Sequence, residues 1–273
     1  MVNNGKSITI DANILTKVYF SNGNYKISIN NKYNLKGFSI LEYGANNKVV
    51  NINDLMYSEK ISPNFFFYQT KCFGDLSVIK NMNVINVNVE NSRGIYGDIS
   101  SITNKSFIQF NVQGTEVTGN LATFANKTSI NILRIGQSKI IGNLSNISNL
   151  INLNELSIDY NSNFDGNIDN IINLKNLKLF YAKGIKLTGD LSQISPVLCY
   201  LDCLFNNSSA FTWTKRNNNN TIFSIRGYPY VSDIDKMLQD FSECTIPSQR
   251  EYNNKIEVRG TRTSASDEAL AIL

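Results

Sequence analysis

A short phrase that begins with glycine recurs six times in this chain, and it limits the folds that the sequence can adopt. The copies begin at Gly74, Gly97, Gly119, Gly142, Gly166 and Gly189, and each glycine is followed by Asp or Asn and then by Leu or Ile. Successive glycines are 22 to 24 residues apart. A period of this length is typical of a solenoid, in which successive coils stack on one another. The sequence therefore predicts an array of stacked coils over residues 72–206.

Apolar residues keep fixed positions around every glycine. Two residues before it stand Cys72, Ile95, Val117, Ile140, Phe164 and Leu187. Two residues after it stand Leu76, Ile99, Leu121, Leu144, Ile168 and Leu191, and five after it stand Ile79, Ile102, Phe124, Ile147, Ile171 and Ile194. These three columns predict the buried side of each coil.

A second apolar phrase lies between the glycines, and its last two positions alternate with an outward one. Its copies are Val84/Val87/Val89, Phe107/Phe110/Val112, Ile130/Leu133/Ile135, Leu153/Leu156/Ile158, Leu174/Leu177/Leu179 and Leu198/Leu201/Cys203. Alternation of this kind predicts a β-strand with one buried face. Three residues beyond the phrase stand Ser92, Thr115, Ser138, Asn161, Ala182 and Asn206, and five of these six can bond backbone groups at a turn.

Segments such as Leu153–Asn161 (LNELSIDYN) and Leu187–Leu191 (LTGDL) resemble leucine-rich repeats. The Leu-Thr-Gly-x-Leu phrase is similar to a variant also found in plant receptors, in which a short second strand follows the main one. The resemblance implies a β-dominated α/β solenoid with a parallel β-sheet. Fold alone does not give function.

The residues before and after the array do not follow the period of the repeat. Short alternating runs predict a β-rich module over residues 1–62, and this module either attaches the protein to a partner or caps the first coil. The solenoid is assigned to residues 63–210. Over residues 211–273 we expect an α/β cap, with a helix behind a Ser232–Asp235 capping box, a strand at Ile256 and Val258, and a final helix.

Residues 256–267 (IEVRGTRTSASD) resemble the C-terminal segment of leucine-rich-repeat proteins encoded by gut Bacteroidetes and their tailed phages. The resemblance implies a virion protein, such as a fibre or a capsid decoration. Residues Met1–Lys6 contain no apolar run of signal-peptide length, which agrees with assembly in the host cytoplasm. No stretch is long enough to span a bilayer, so no membrane partner is expected.

Composition narrows the chemistry further. The chain has no histidine, which excludes Ser-His-Asp and Cys-His catalysis and every histidine-containing metal site. Of the four cysteines, Cys72 and Cys203 fall in apolar columns, which favours buried free thiols.

A net charge of +4 with scattered Lys and Arg does not indicate a nucleic-acid surface. The repeated Gly-Asp and Gly-Asn pairs lie a full coil apart, so we interpret them as turns rather than calcium ligands. We predict no cofactor and no metal.

The outward strand positions are the candidate binding residues. One column contains Asn88, Asn111, Arg134, Ser157, Lys178 and Asp202, and the column beside it contains Asn86, Gln109, Ile132, Glu155, Asn176 and Tyr200. Parallel strands would place these side chains on one polar face, on the concave side where solenoids bind partners. A face that is merely solvated fits the same pattern, and both interpretations stay open here.

These observations favour a non-enzymatic structural or interaction protein of a phage particle. It would be held to other virion proteins by residues 1–62, and its repeats would face a host surface protein or a glycan. Fibres are symmetric oligomers, so a homo-oligomer is expected. The alternative is an exported adhesin of the bacterial cell surface. A glycan-active enzyme is disfavoured because no paired carboxylates stand out.

Overall fold

A computed structural model describes residues 6–11, 25–30, 38–41, 49–52, 64–68, 71–82, 84–103, 106–161, 163–204, 210–246 and 255–273. The chain forms two compact units, residues 1–118 and 119–273. Both units are built from stacked coils. A coil contributes one strand to each of two sheets, and these strands pair in parallel with the strands of the neighbouring coils. The domain boundaries at residues 62 and 210 remain predictions.

The strands of the N-terminal unit form one isolated pair and two parallel sheets. The pair is β1 (Lys6–Asp11) and β2 (Tyr25–Asn30). The first sheet contains β3 (Phe38–Leu41), β5 (Asn64–Tyr68), β7 (Asn86–Asn88) and β9 (Gln109–Asn111). The second sheet contains β4 (Val49–Asn51), β6 (Lys71–Asp75), β8 (Gly94–Asp98) and β10 (Glu116–Asn120). The coil pairing thus reaches back to Phe38, which pairs with Phe65.

The C-terminal unit repeats this arrangement and adds two helices. Its first sheet contains β11 (Ile132–Arg134), β13 (Glu155–Ser157), β15 (Leu179–Tyr181), β17 (Tyr200–Asp202) and β19 (Ser224–Arg226). Its second sheet contains β12 (Lys139–Asn143), β14 (Phe164–Asn167), β16 (Lys186–Asp190), β18 (Ala210–Thr212) and β20 (Tyr230–Val231). The helices are α1 (Ile234–Glu243) and α2 (Asp267–Ile272). None of the helices within the described ranges is both long and apolar enough to cross a bilayer.

The core lies between the two sheets of each unit. All three columns of apolar residues around the glycines are buried in every copy, which confirms this part of the register. The strand phrase is also buried in every copy except at Leu179, which is half-buried. Stacking of identical positions explains the stability of such coils, because each coil covers the apolar side of the next.

Backbone carbonyls join successive coils just before each strand of the first sheet. The carbonyl of Asn131 accepts hydrogen bonds from the amides of Asn154 and Glu155, at 2.8 and 3.1 Å. The carbonyl of Asn154 receives the same two bonds, also at 2.8 and 3.1 Å, from the next coil, and so does that of Lys178. These joints use only backbone atoms, so the side chain at this position is free to vary.

A short 3-10 helix follows each of the six strands β6, β8, β10, β12, β14 and β16, and the last residue of the strand caps it. The helices span Leu76–Asn81, Ile99–Ile102, Leu121–Phe124, Leu144–Ile147, Ile168–Ile171 and Leu191–Gln193. In all six, the Asp or Asn after the repeated glycine accepts a hydrogen bond from the amide two residues on, as when Asp98 accepts from Ser100 at 2.7 Å. The interpretation of these pairs as turn residues is confirmed. Gly189 needs to be glycine because its φ is +114°, in the left-handed region.

The polar column after the strands also bonds the backbone. Ser92 donates to the carbonyl of Phe67 at 3.0 Å, and Asn161 donates to the carbonyl of Ile135 at 2.9 Å. Thr115 and Ser138 donate to carbonyls three residues back, both at 2.6 Å. The turn prediction is therefore confirmed for these four residues. Asn206 lies outside the described residues.

The fifth coil corrects the predicted register. Leu156 pairs with Phe180, so the buried residues of this coil are Leu177, Phe180 and Ala182, and the assignment of Ala182 to the polar turn column is wrong. The strand prediction erred because Leu177-x-Leu179 imitates the alternating phrase. In the folded coil Leu174, Leu177 and Phe180 keep the three-residue spacing of Leu150, Leu153 and Leu156, and all six side chains are buried.

The C-terminal end departs from the prediction in three details. Asp233, rather than Ser232, caps α1, and it accepts a hydrogen bond from the amide of Lys236 at 3.0 Å. Ile256 forms only an isolated bridge with Ile225, so a regular strand at Ile256 and Val258 is not formed. Ile225 is 22 residues beyond Cys203, and this spacing predicts that it continues the strand column of Cys203; in the structure Ile225 pairs with Leu201 instead.

Arg216 is a buried cation at this end of the chain, and its side chain is only 1% exposed. Its guanidinium donates hydrogen bonds of 2.9 to 3.3 Å to four carbonyls, those of Ser192, Ile194, Ser195 and Thr221. It also lies 4.7 Å from the centroid of the Phe223 ring. Burial lowers the pKa of Arg216 to about 10, so the side chain stays charged at neutral pH. The Arg216 amide and the Trp213 indole both donate to Asp240, at 2.7 Å each.

The four thiols are expected to react in two classes. Cys72 and Cys203 are buried, and burial raises the pKa of Cys203, so neither offers a reactive thiolate in the folded protein. Cys199 and Cys244 are partly exposed and should be labelled first, although burial raises the pKa of both. Mass spectrometry after brief native labelling with iodoacetamide tests this order. Early modification of Cys72 or Cys203 would contradict the assigned core.

Candidate functional site

The outward side chains of the first sheet form one strand face in each unit. We call the face of β7 and β9 the N-terminal strand face. The face of β11, β13, β15, β17 and β19 is called the C-terminal strand face. On the N-terminal strand face, Asn86 pairs with Gln109 and Asn88 with Asn111. On the C-terminal strand face, one row contains Ile132, Glu155, Leu179, Tyr200 and Ser224, and the next contains Arg134, Ser157, Tyr181, Asp202 and Arg226.

Two predicted site residues do not lie on this face. Lys178 precedes β15, and its carbonyl serves the coil joint described above. Asn176 lies in the preceding turn, where its amide donates to the carbonyl of Ile151 at 2.9 Å. Leu179 and Tyr181 take their places in the two rows because the fifth coil is displaced in sequence. The other predicted residues are on the strand faces.

An ion pair spans the first two strands of the C-terminal strand face. Arg134 bonds both carboxylate oxygens of Glu155, at 2.6 and 2.9 Å. Glu155 is almost fully buried, whereas about a third of the Arg134 side chain is exposed. Bidentate geometry fixes the guanidinium plane, so it can be recognised by a partner without first being ordered.

Two buried carboxylates flank one lysine on the same face. The Lys183 ammonium lies 3.3 Å from Asp202, and the Lys183 amide donates to Asp159 at 2.7 Å. Burial raises the pKa of Asp159, against the lowering effect of that hydrogen bond. Burial alone would lower the pKa of Lys183, but the carboxylates of Asp202 and Asp159 outweigh it and raise that pKa. Lys183 and Asp159 were not predicted as site residues because each lies beyond the end of a strand.

Two half-buried tyrosines and one exposed arginine lie on neighbouring strands of the C-terminal strand face. The rings of Tyr181 and Tyr200 are 5.4 Å apart, and the Tyr200 hydroxyl donates to Asp202 at 3.0 Å. Burial raises the pKa of Tyr200, which therefore stays protonated at neutral pH. Arg226 hydrogen-bonds the same hydroxyl and is exposed, and this contact raises its pKa. Tyrosine and arginine held in place are the residue types that dominate binding energy at interfaces.

The N-terminal strand face has a different chemistry, since Asn and Gln occupy all four of its positions. Asn111 is fully buried, and its amide donates to Glu90 at 2.9 Å. Its carbonyl oxygen accepts from the Gln113 amide at 3.1 Å, and Asn88 accepts from Glu90 in the same way at 3.2 Å. Asp202 repeats this turn in the other unit, where it accepts from Leu204 at 3.1 Å. Asn88, Asn111 and Asp202 therefore hold the end of their strands as well as lining a face.

No metal site emerges from the residues that the structure describes. Among them, no group of three or more Cys, Asp or Glu side chains is placed to hold a metal ion. The side chains of the repeated Asp and Asn residues instead accept hydrogen bonds that cap the 3-10 helices. The described charges of the C-terminal strand face are arranged as fixed pairs between coils, which suits recognition more than proton transfer.

Comparison with known proteins identifies the fold. No protein-family model matches the chain, and no curated protein is similar to it in sequence. The solved structures of a TDR receptor (16% identity, TM-score 0.53) and of the leucine-rich-repeat ectodomain of the Arabidopsis thaliana receptor kinase GASSHO1/SCHENGEN3 (15% identity, TM-score 0.52) are similar to it. So is that of PEPR1 with AtPEP1 (15% identity, TM-score 0.50).

These alignments cover most of this chain but about a third of the neighbours. They span 73%, 88% and 83% of this chain, and 35%, 30% and 36% of the respective neighbours. Together with the two parallel sheets, they confirm the predicted β-dominated leucine-rich-repeat solenoid. At this level of identity the likeness concerns the fold alone.

Proposed function

We propose that this chain is a non-enzymatic recognition module, and that it binds a segment of a protein partner on the C-terminal strand face. The observation that carries the proposal is the Tyr181–Tyr200 pair beside the exposed Arg226, on strands whose positions are fixed by coil joints. Preorganised side chains lose little conformational entropy on binding, so their contacts contribute more to affinity. The described charges on this face include the exposed parts of Arg134 and Lys183, which favour a partner segment with acidic groups.

The structural neighbours agree with this use of the fold. PEPR1 was solved with AtPEP1, and the GASSHO1/SCHENGEN3 ectodomain was solved with CASPARIAN STRIP INTEGRITY FACTOR 2. A solenoid presents a wide, rigid surface that can contact a long segment of a ligand. We assign no catalytic role to the chain.

We further propose that the module is a component of a phage particle, a fibre or a capsid decoration. In this proposal residues 1–62 attach a homo-oligomer to other virion proteins, and the repeats face a host surface protein. The support is the resemblance of residues 256–267 to leucine-rich-repeat proteins of gut Bacteroidetes and their tailed phages. An adhesin of the bacterial cell surface is the alternative, and it would use the same strand face.

A photo-crosslinking experiment tests the binding face. The full chain carries p-benzoylphenylalanine at Tyr181, or as a control at Ile151, which is 52% exposed in a turn and belongs to neither strand face. We expect a protein partner to be crosslinked from Tyr181 and not from Ile151. Competition with unlabelled protein should remove the product, and unlabelled Arg226→Glu protein should compete at least tenfold less well. Equal crosslinking from both positions would contradict the assigned face.

The location is tested separately, with antibody against the full chain. If the virion proposal holds, the protein should be detected in density-purified particles and should rebind to particles that lack it. Detection only in a cell-surface fraction would support the adhesin and contradict the virion assignment. Neither result changes the crosslinking test, so the face and the location are judged independently.

A further inference from the structure

Two aromatic side chains stand exposed on the second sheet of the N-terminal unit. Phe73 in β6 is 41% exposed and Tyr96 in β8 is 51% exposed. The residues just before them, Cys72 and Ile95, are buried, so both rings point away from the core. This pair, the aromatic platform, is separate from the strand faces, which belong to the first sheet.

The geometry of the platform follows from the strand register. Phe73 pairs with Gly94, and Asp75 pairs with Tyr96, so the two aromatic residues are one strand and two residues apart. With about 4.8 Å between strands and about 3.3 Å per residue, their Cα atoms are separated by about 8 Å. A disaccharide spans a gap of this size. Regular strands hold both residues, so the spacing is fixed before any ligand arrives.

The position beside Phe73 has no side chain. A Cβ atom at Gly94 would lie 2.6 Å from the Phe73 Cβ, so no larger residue fits there while the strands keep their positions. Glycine therefore leaves the Phe73 ring without a neighbour on that side. A flat ligand can approach the ring across the bare backbone of Gly94.

The groups around the rings are carboxylates and hydroxyls. Asp75 and Glu116 pair with Tyr96 from either side, and Asp98 pairs with Thr118 one step further on. One oxygen of Asp75 and one of Asp98 cap 3-10 helices, at 2.8 and 2.7 Å from the amides they accept from. Among the residues whose side chains the structure describes, three carboxylates stand against one exposed cation, Arg93, which adjoins Gly94, so the described charges of this surface have a negative balance.

We propose that Phe73 and Tyr96 form a binding site for a neutral oligosaccharide. The C–H groups of a sugar ring carry partial positive charge and stack on the negative face of an aromatic ring. Sugar hydroxyls donate hydrogen bonds, and the surrounding carboxylates accept them. The negative balance disfavours acidic sugars and nucleic acids. A protein partner is less suited, because a stable interface needs about 800 Å² per side and an apolar centre, whereas glycine and carboxylates surround these rings.

The test uses the full chain in native gels that contain soluble polysaccharide. The probes are three neutral polymers, hydroxyethyl cellulose, galactomannan and xyloglucan, with polygalacturonate as the acidic polymer. We expect at least one neutral polymer to retard the protein and polygalacturonate to leave its mobility unchanged. Phe73→Ala and Tyr96→Ala should each weaken binding at least tenfold, and Phe73→Tyr should retain it, because a tyrosine ring still stacks.

Tyr230→Ala is the matched control. Tyr230 is 44% exposed on a second-sheet strand of the C-terminal unit, so the substitution removes an equally exposed ring from the same kind of strand. It should bind as the wild type does, and circular dichroism should show that all variants fold. The proposal is overturned if no neutral polymer retards the wild type, or if only polygalacturonate does. It is also overturned if the two alanine variants bind normally, or if Tyr230→Ala loses as much binding.

Discussion

Replacing Ile158 with Asp is expected to lower the free energy of unfolding by on the order of 4–5 kcal/mol, the range of the most damaging core substitutions. Ile158 is 0% exposed, and its amide donates to the carbonyl of Tyr181 at 2.9 Å. Aspartate there would place a charge without a partner between two coils, where water cannot solvate it. Because a coil is stable only through its neighbours, the loss should reach the adjacent coils as well.

Urea denaturation followed by circular dichroism measures this effect. Ile151→Asp is the control, since it makes the same chemical change at an isoleucine that is 52% exposed. That variant should unfold within about 0.5 kcal/mol of the wild type, as exposed substitutions do. If the two variants unfolded at the same urea concentration, Ile158 could not lie in the column assigned to it.

Removing the Arg216 guanidinium should be nearly as damaging. In Arg216→Met the four carbonyls would lose the hydrogen bonds that the guanidinium supplies, and only the Ser195 carbonyl would keep a described donor, the Leu198 amide at 3.2 Å. Breaking a buried charged network from one side costs about 3–5 kcal/mol, and methionine fills the space without supplying a hydrogen bond. Arg216→Lys should recover only part of this loss, because an ammonium cannot reach four carbonyls with the planar geometry of a guanidinium.

Tryptophan fluorescence reports on this region directly, because Trp213 is the only tryptophan and donates to Asp240 beside Arg216. We expect the Trp213 emission of Arg216→Met to shift to the red at a lower urea concentration than in the wild type. Lys215→Met is the control, since Lys215 is the exposed neighbour. A matching urea midpoint for Arg216→Met and Lys215→Met would refute the assigned role.

The sequence was sufficient to predict the coils wherever one apolar column defined them without ambiguity. Each of the three columns around the repeated glycines has a buried apolar side chain in every copy. The Asp or Asn after the glycine accepts a hydrogen bond from the amide two residues further along the chain. Such features depend on a few neighbouring residues. For this reason they can be recognised in a single sequence.

The strand of the fifth coil could not be assigned from the local apolar pattern alone. Leu177-x-Leu179 and Phe180-x-Ala182 are both alternating apolar pairs, and only the second fits the stacking of Phe180 on Leu156 and Leu201. Spacing along the chain cannot decide between them, because the deciding contacts come from other coils. The error moved two site residues, Asn176 and Lys178, onto a strand that they do not join.

The arrangement of the candidate site was less predictable than its location. The ion pair of Lys183 with Asp202 joins residues from different coils, and it depends on the direction of both side chains. The sequence placed Glu155, Ser157 and Asp202 on strands but gave no sign that they would be buried. Only the stacked coils reveal how deeply a polar row is covered by its neighbours.

The paired hydrogen bonds at Asn131, Asn154 and Lys178 also bear on how such a chain can change over generations. Each joint is made by a carbonyl and two amides that every residue type except proline possesses in full. A gene segment that encodes one whole coil can therefore be copied or lost. The coils on either side would still find backbone carbonyls and amides in the positions that these hydrogen bonds need. The length of the strand faces can thus vary in whole-coil steps, while mutation sets the chemistry of each added row.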